Sequence, residues 1–300
     1  MENIIMQHAT IDVTYDCNLK CKLCGASSPY TPAHRRNFPF ELQKKGVEKF
    51  FQFVSYVKIL DICGGEVFLY KHLKEMLIYL KKYISQFDEL RIVTNGTLVP
   101  HEEILNIIQT YDGKVSFIVD DYGEALSTKV AEIDSILKVR NIPHIVRNYT
   151  KNNPYCGGWV DFGDFKKRKL VSQKEAEDLF SQCAIAKKVH FCFSIIGAEM
   201  YPCQPARRCR ELGVATDYDE YIDFMDTKLS LEEQQEKIRK IINTKFLSAC
   251  FYCNGLCEDS KRFVPAEQLS REEMSYIYAG AASYSEILKM KESRKNNESC

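Results

Sequence analysis

ATIDVTYDCNLKCKLC, residues 9–24, joins a strand-like run directly to three cysteines. In ATIDVTY, apolar and polar residues alternate and β-branched types recur, which is the pattern of a half-buried strand. Cys17, Cys21 and Cys24 follow at once, with three residues between the first two and two between the last pair. The thiols therefore fall in the loop at a strand's C-terminal end, where α/β sheets carry their chemistry. A closed structural zinc site takes four ligands. Three thiolates hold three irons of a 4Fe–4S cube and leave the fourth iron open. The absent fourth cysteine is thus the informative feature.

Outward from this stretch, short β-branched runs alternate with helical segments up to about residue 150. The predicted strands are 9–15, 57–63, 90–95, 114–120 and 143–149. In the clearest helical segment Leu73, Met76, Leu77 and Leu80 recur at helical spacing and form one face suited to packing on a sheet. Repeated βα units predict an α/β fold with a parallel sheet, open or barrel-like, and ligands at the strands' C-terminal ends. After residue 150 the pattern changes. NNPYCGGWVDFGDF has no clear period, and the KKRK after it reads as a solvated face. A helix is predicted from Ser172 to Lys188, with Ser172 as N-cap and Glu175 completing a capping box. VHFCFSIIGAEMYPC reads as a hairpin turning at Gly197 and Ala198, and from residue 228 the chain is mostly helical, interrupted by ACFYCNGLC.

The chain has 300 residues with 41 basic and 41 acidic side chains, so charge gives no reason to expect a nucleic-acid partner or an anionic membrane. No secretory leader and no long apolar run is present, which predicts a cytoplasmic protein with no membrane partner. Thirteen cysteines are heavy usage for a reducing compartment. Their grouping as 17/21/24 and 250/253/257 points to metal or redox chemistry.

The cysteine spacing resembles the signature of the radical S-adenosylmethionine (radical SAM) superfamily. That resemblance implies a partial (β/α)6 TIM-type barrel, here over residues 1–170. It also implies a 4Fe–4S cluster on Cys17, Cys21 and Cys24 whose open iron chelates S-adenosylmethionine. The reduced cluster cleaves the sulfonium to a 5′-deoxyadenosyl radical, which abstracts hydrogen from substrate. Two further segments match in order. CGGEVFL, residues 63–69, is similar to the family's GGE motif, in which Gly64 and Gly65 allow close backbone approach to a ligand. Glu66 or its neighbouring carbonyls then accept from the ligand's ammonium. VTNGTL, residues 93–98, ends the third strand with Asn95 and Gly96. The resemblance also implies that Asp120 reaches the ribose hydroxyls, the alternative being that Asp120 and Asp121 are solvated turn residues. Arg147 is a candidate for the methionine carboxylate. Leu23 stands where the family commonly has an aromatic residue and Val67 where it commonly has proline, so the packing of adenine differs.

The remaining cysteines resemble the superfamily's C-terminal auxiliary-cluster modules, SPASM in the long form and twitch in the short. Residues 171–300 would form this smaller domain. Cys183, Cys203, Cys250 and Cys253 are the implied ligands of one auxiliary 4Fe–4S cluster, because the long form's cysteine run is absent. Cys192, Cys209 and Cys257 are less well matched, and the spacing from Gly197 leaves Cys192 open as a replacement for Cys183. A zinc ribbon is the competing structural reading. A fully ligated second cluster implies either oxidation of a substrate radical or a redox-neutral epimerisation. In the latter a cysteine returns a hydrogen atom, with Cys156 in PYCGGW as the candidate. The first strand begins within ten residues of Met1, which predicts no leader-recognition domain ahead of it and favours a small polar substrate such as a sugar or aminocyclitol. A peptide-modifying maturase is the second reading and a non-catalytic iron–sulfur or zinc protein the third. A flavodoxin or ferredoxin is the expected reductant.

Overall fold

The computed structural model describes residues 3–150, 154–188, 191–215 and 218–298. Five parallel strands alternate with four helices in its first half: β1 Ile5–Thr14, α1 Phe40–Phe53, β2 Tyr56–Gly64, α2 Leu73–Leu80, β3 Phe87–Thr94, α3 Glu102–Gln109, β4 Val115–Asp121, α4 Val130–Val139 and β5 His144–Asn148. Each predicted strand is present. There follow α5 Gln173–Gln182, α6 Ala184–Lys187, the hairpin β6 Phe193–Ile196 and β7 Glu199–Tyr201, α7 Gln204–Glu211, β8 Ile222–Asp223, α8 Leu231–Ile242, α9 Arg271–Tyr278 and α10 Tyr284–Glu298. Among the described residues no helix is long and apolar enough to cross a membrane.

All strands belong to one sheet in the order β5-β4-β3-β2-β1-β6-β7-β8, parallel as far as β6. The α/β, parallel-dominated fold is as expected, but the sixth parallel strand does not follow β5. It lies on the other side of β1, where Ala9, Thr10 and Ile11 align with Phe193, Ser194 and Ile195. The chain after β5 enters a stretch in which Cys156, Gly157 and Gly158 all have positive φ, which a crossover helix does not accommodate. The expected domain boundary at residue 170 is consequently crossed by the sheet, since β6 from the second half pairs with β1 from the first.

Strand alternation divides the sheet into two faces. Ala9, Ile11, Leu60, Ile62, Leu90, Ile92, Phe117 and Val119 are buried and belong to one apolar core with α1 to α4. The opposite face is polar: Asp61 Oδ2 lies 2.8 Å from His8 Nε2, and Arg91 holds both Asp61 oxygens at 2.6 and 2.9 Å. The predicted capping box at Ser172 and Glu175 is present. The helix it opens stops short of Lys188, however, because Cys183 adopts extended backbone (ψ 122°) between α5 and α6. Residues 152–153 and 189–190, which begin the glycine-rich stretch and the predicted hairpin segment, lie outside the described residues.

Gly46 shows how tightly this second half is applied to the first. A Cβ at Gly46 in α1 would stand 2.0 Å from the Gly197 carbonyl oxygen at the hairpin turn. Alanine normally favours a helix over glycine by about 1 kcal/mol. Here overpacking dominates, so Gly46→Ala is expected to lower stability by roughly 1–3 kcal/mol. Urea denaturation checks this, as a lower midpoint at unchanged slope; a raised midpoint would contradict the close contact.

Candidate cluster sites at the strand ends

The cysteine loop is held at its stem by the GGE turn. Gly65 N–H donates to the Thr14 carbonyl at 2.6 Å and Glu66 N–H to the Asp16 carbonyl at 2.8 Å. A Cβ on Gly64 would lie 2.1 Å from the Thr14 oxygen, and one on Gly65 2.2 Å from the Asp16 oxygen. Gly64 also has φ 138°. Both glycines are therefore required by backbone contact with the loop that leads to Cys17. The close neighbour is the chain itself.

Cys21 is buried, Cys17 and Cys24 are partly so, and all three pack with Leu19, Ala266, Tyr122, Leu126 and Trp159. Burial pushes the Cys17 thiol up to about 11 and the Cys21 thiol up to about 12, with the Cys24 charge adding to both. Burial raises Cys24 as well, against the turn N–H groups of Ser28, Ala26 and Ser27. Each sulfur thus needs a positive partner before it ionises, and metal binding here expels protons. Among the described residues no three His, Cys, Asp or Glu side chains are gathered as tightly as a single metal ion requires. Zinc–sulfur bonds of about 2.3 Å bring their sulfurs within about 4 Å of one another. Three thiols on one loop are the donor set of a cube with one open iron.

Glu66 is fully buried, and its carboxylate accepts from Asn95 N–H at 2.8 Å, Thr94 Oγ1 at 2.9 Å and Phe68 N–H at 3.1 Å. It ties the end of β3 to the GGE turn. Burial raises its pKa against those donors. Asn95 Nδ2 in turn reaches Asn18 Oδ1 at 3.1 Å and stands 3.6 Å from Cys17 Sγ, so it braces the cysteine loop. Asp120 and Arg147 are directly opposed across β4 and β5. Arg147 donates to both Asp120 oxygens, at 2.6 and 2.8 Å, and stacks over the Tyr155 ring. Burial opposes the charge on Arg147, but the Asp120 carboxylate outweighs it and holds the guanidinium above its ordinary value. The two residues assigned separate ligand contacts from sequence are thus each other's partners, because a one-register cross-strand pair brings an acid and a base together.

The second cysteine set converges on a small apolar pocket lined by Cys183, Cys203, Cys250 and Cys253. Phe162, Leu179, Phe180, Ile185, Phe191 and Leu247 complete its apolar wall. Cys183 is the joint between α5 and α6, Cys203 the N-cap of α7, and Cys250 part of a short 3-10 turn, Ser248–Phe251. Backbone N–H groups already point at two sulfurs, Leu247 at Cys250 (3.4 Å) and Gly255 at Cys253 (3.2 Å). Burial pushes Cys250 up to about 12 and raises Cys253 and Cys203 further. Cys209 and Cys257 are buried nearby but do not line the cavity. Cys192 is oriented elsewhere, where the charges of Asp61, Asp12 and Arg91 act on it.

Several residues at these sites were not singled out by sequence. Cys63, read only as the start of the GGE motif, lies on the polar face with its Sγ 3.1 Å from Asp12 Oδ1. Gln204, beside Cys203, donates to Asp12 Oδ2 and to Ser194 Oγ (3.0 Å), linking the second set to the polar face. Arg207 is buried, lies over the Tyr15 ring and donates to the Ala26 carbonyl at 2.9 Å. Alternation along VKILDIC is the one available signal for Cys63; Gln204 and Arg207 carry none. Cys156, by contrast, is exposed on the turn Tyr155–Gly157.

Residues 11–151 match the radical SAM superfamily model. AlbA of Bacillus subtilis strain 168, an antilisterial bacteriocin subtilosin biosynthesis protein, is 34% identical over 108 residues, covering 36% of this chain and 22% of AlbA. The GTP 3′,8-cyclase of Campylobacter lari is 24% identical over 142 residues, 46% of this chain and 42% of the cyclase. The chain therefore spans less than half the length of these curated relatives. BtrN, solved in complex with AdoMet and 2-DOIA, superposes with a TM-score of 0.51 at 14% identity, over 89% of this chain and 100% of BtrN. The superfamily's cofactors are a 4Fe–4S cluster and S-adenosylmethionine. With its three-cysteine loop at the end of β1 and the GGE turn locked beneath it, the segment 11–151 is a radical SAM domain.

Proposed function

We propose that the chain is a two-cluster radical SAM oxidoreductase that acts on a small polar substrate held on the polar face of its sheet. The observation that carries this reading is the presence of two cysteine sets of different kind, one on the loop that ends β1 and one around an apolar pocket that Gln204 joins to the polar face. Three thiols on one loop suit a cluster with an open iron. Four thiols around an apolar cavity suit a cluster with none. When bound, the first group supplies the electron that cleaves S-adenosylmethionine, and the second accepts the electron left after hydrogen abstraction and proton loss. In this reading Cys17, Cys21 and Cys24 hold the first and Cys183, Cys203, Cys250 and Cys253 the second.

The chain's own residues do the rest. Glu66 and Asn95 hold the loop rigid, which leaves backbone carbonyls of the GGE turn as the acceptors for the ligand's ammonium. The Asp120–Arg147 pair offers a polar edge at the ends of β4 and β5. Cys63 replaces Cys156 as the thiol facing substrate, so an epimerisation returning hydrogen from sulfur would use Cys63. A flavodoxin or ferredoxin in the cytoplasm is the proposed electron source. The similarity to AlbA over 108 residues favours a second reading, a peptide-modifying maturase. Incubating the reconstituted protein anaerobically with S-adenosylmethionine, dithionite and separate small-molecule and peptide fractions of a cell extract decides between them. Deoxyadenosine above the substrate-free rate is expected with the small-molecule fraction; stimulation by peptides alone would replace this proposal with the second.

A further inference from the structure

Residues 263–269 return from the C-terminal side and lie along the cysteine loop. Phe263 exchanges backbone hydrogen bonds with Trp159 at 3.0 and 2.8 Å. Lys22 N–H then donates to the Glu267 carbonyl and Leu269 N–H to the Lys20 carbonyl, both at 2.8 Å. Cys21 and Gln268 thereby stand opposite one another as an antiparallel pair. Lys22 Nζ adds ion pairs to Glu267 at 2.5 Å and to Glu273 of α9 at 3.5 Å.

The Gln268 carboxamide is oriented without ambiguity. Its Oε1 accepts Lys20 N–H at 2.7 Å, and its Nε2 donates to the Ala266 carbonyl at 2.7 Å and to Cys21 Sγ at 3.2 Å. Reversing the amide would set oxygen against the Ala266 oxygen and a donor against Lys20 N–H, losing both bonds. Ala266, fully buried with φ 54°, holds the turn that makes this possible. The Asn95 side-chain amide stands farther from its sulfur, Cys17 Sγ, at 3.6 Å.

We propose that Gln268 sets the reduction potential of the cluster held by Cys17, Cys21 and Cys24, an inference that rests on the ligand assignment proposed above. Negative charge on the cysteine sulfurs grows when the cluster gains its electron. An N–H dipole fixed on Cys21 stabilises that reduced state, as hydrogen bonds to cluster sulfurs do generally. One electron enters from the donor, with no bond made or broken and no proton moved. Gln268 acts through Cys21 and is a positioning residue.

Two variants test this in the reconstituted full chain. Gln268→Glu keeps an oxygen for Lys20 N–H but removes the donor and adds negative charge; Gln268→Leu removes both polar contacts. The readout is a redox titration, followed by electron paramagnetic resonance, of the signal that changes when S-adenosylmethionine is added. At fixed potential the reduced-to-oxidised ratio is expected to fall about tenfold in Gln268→Leu, a midpoint lower by about 59 mV, and further in Gln268→Glu. Iron content should match wild type. Unchanged midpoints in iron-replete variants overturn the proposal alone, as does loss of iron from both, which would make the segment a structural clamp. A wild-type protein with no signal responsive to S-adenosylmethionine overturns the proposal together with the ligand assignment beneath it.

Discussion

Changing Cys17, Cys21 and Cys24 together to alanine is expected to remove about four irons per chain and to abolish dithionite-driven formation of 5′-deoxyadenosine. The effect should be complete, because the three sulfurs come from one loop and, among the described residues, no other cysteine packs in their cluster. The thiols are packed with Leu19, Ala266 and Trp159, and burial holds Cys17 near 11 and Cys21 near 12. At neutral pH they are protonated in the free chain, so the alanines leave no unpaired charge behind. The variant should therefore fold, and circular dichroism should match the wild type before reconstitution. Iron counting and chromatography of the nucleoside products check the result. A variant that still makes deoxyadenosine would mean that these cysteines do not hold the cluster that reduces S-adenosylmethionine.

The second large effect separates the two sites. Cys250→Ala with Cys253→Ala removes two of the four thiols around the apolar cavity, leaving Cys183 and Cys203 too few to enclose a cube. About four irons should be lost. Deoxyadenosine formation with dithionite should persist while coupled substrate oxidation disappears. That pattern is informative because the sites are distinct yet joined through Gln204, which is bonded to Asp12 on the strand that leads into the cysteine loop. Loss of both activities with full retention of four irons would assign the second site a role in holding substrate and not in accepting an electron.

The local features were readable from residue order because each depends on neighbours in the chain. Short β-branched runs placed β1 to β5. Spacing brought Cys17, Cys21 and Cys24 into one loop, and the Ser172–Glu175 box opened α5 as expected. The partition of cysteines 183, 203, 250 and 253 into one site was also legible, through resemblance and not through any period. What could not be read was every property requiring two distant segments in register. β6 leaves the barrel order and joins β1 because the hairpin seats on α1 at Gly46, a contact whose closeness is invisible in either segment alone. Asp120 and Arg147 satisfy each other because β4 and β5 align them.

By itself, then, the order of residues determined the fold class, the loop that carries three thiols and the likeness of residues 11–151 to the radical SAM superfamily. These are set by short-range periodicity and by covalent spacing. Only the tertiary structure decided which polar groups remain free for a ligand. Gly64 and Gly65 serve the loop stem, Glu66 serves the end of β3, and Cys63 faces the polar side of the sheet. It also decided that Gln268 meets Cys21 across 247 residues. A buried hydrogen bond needs both partners at the right distance and angle, and for segments so far apart that geometry is set by the packing of the whole chain.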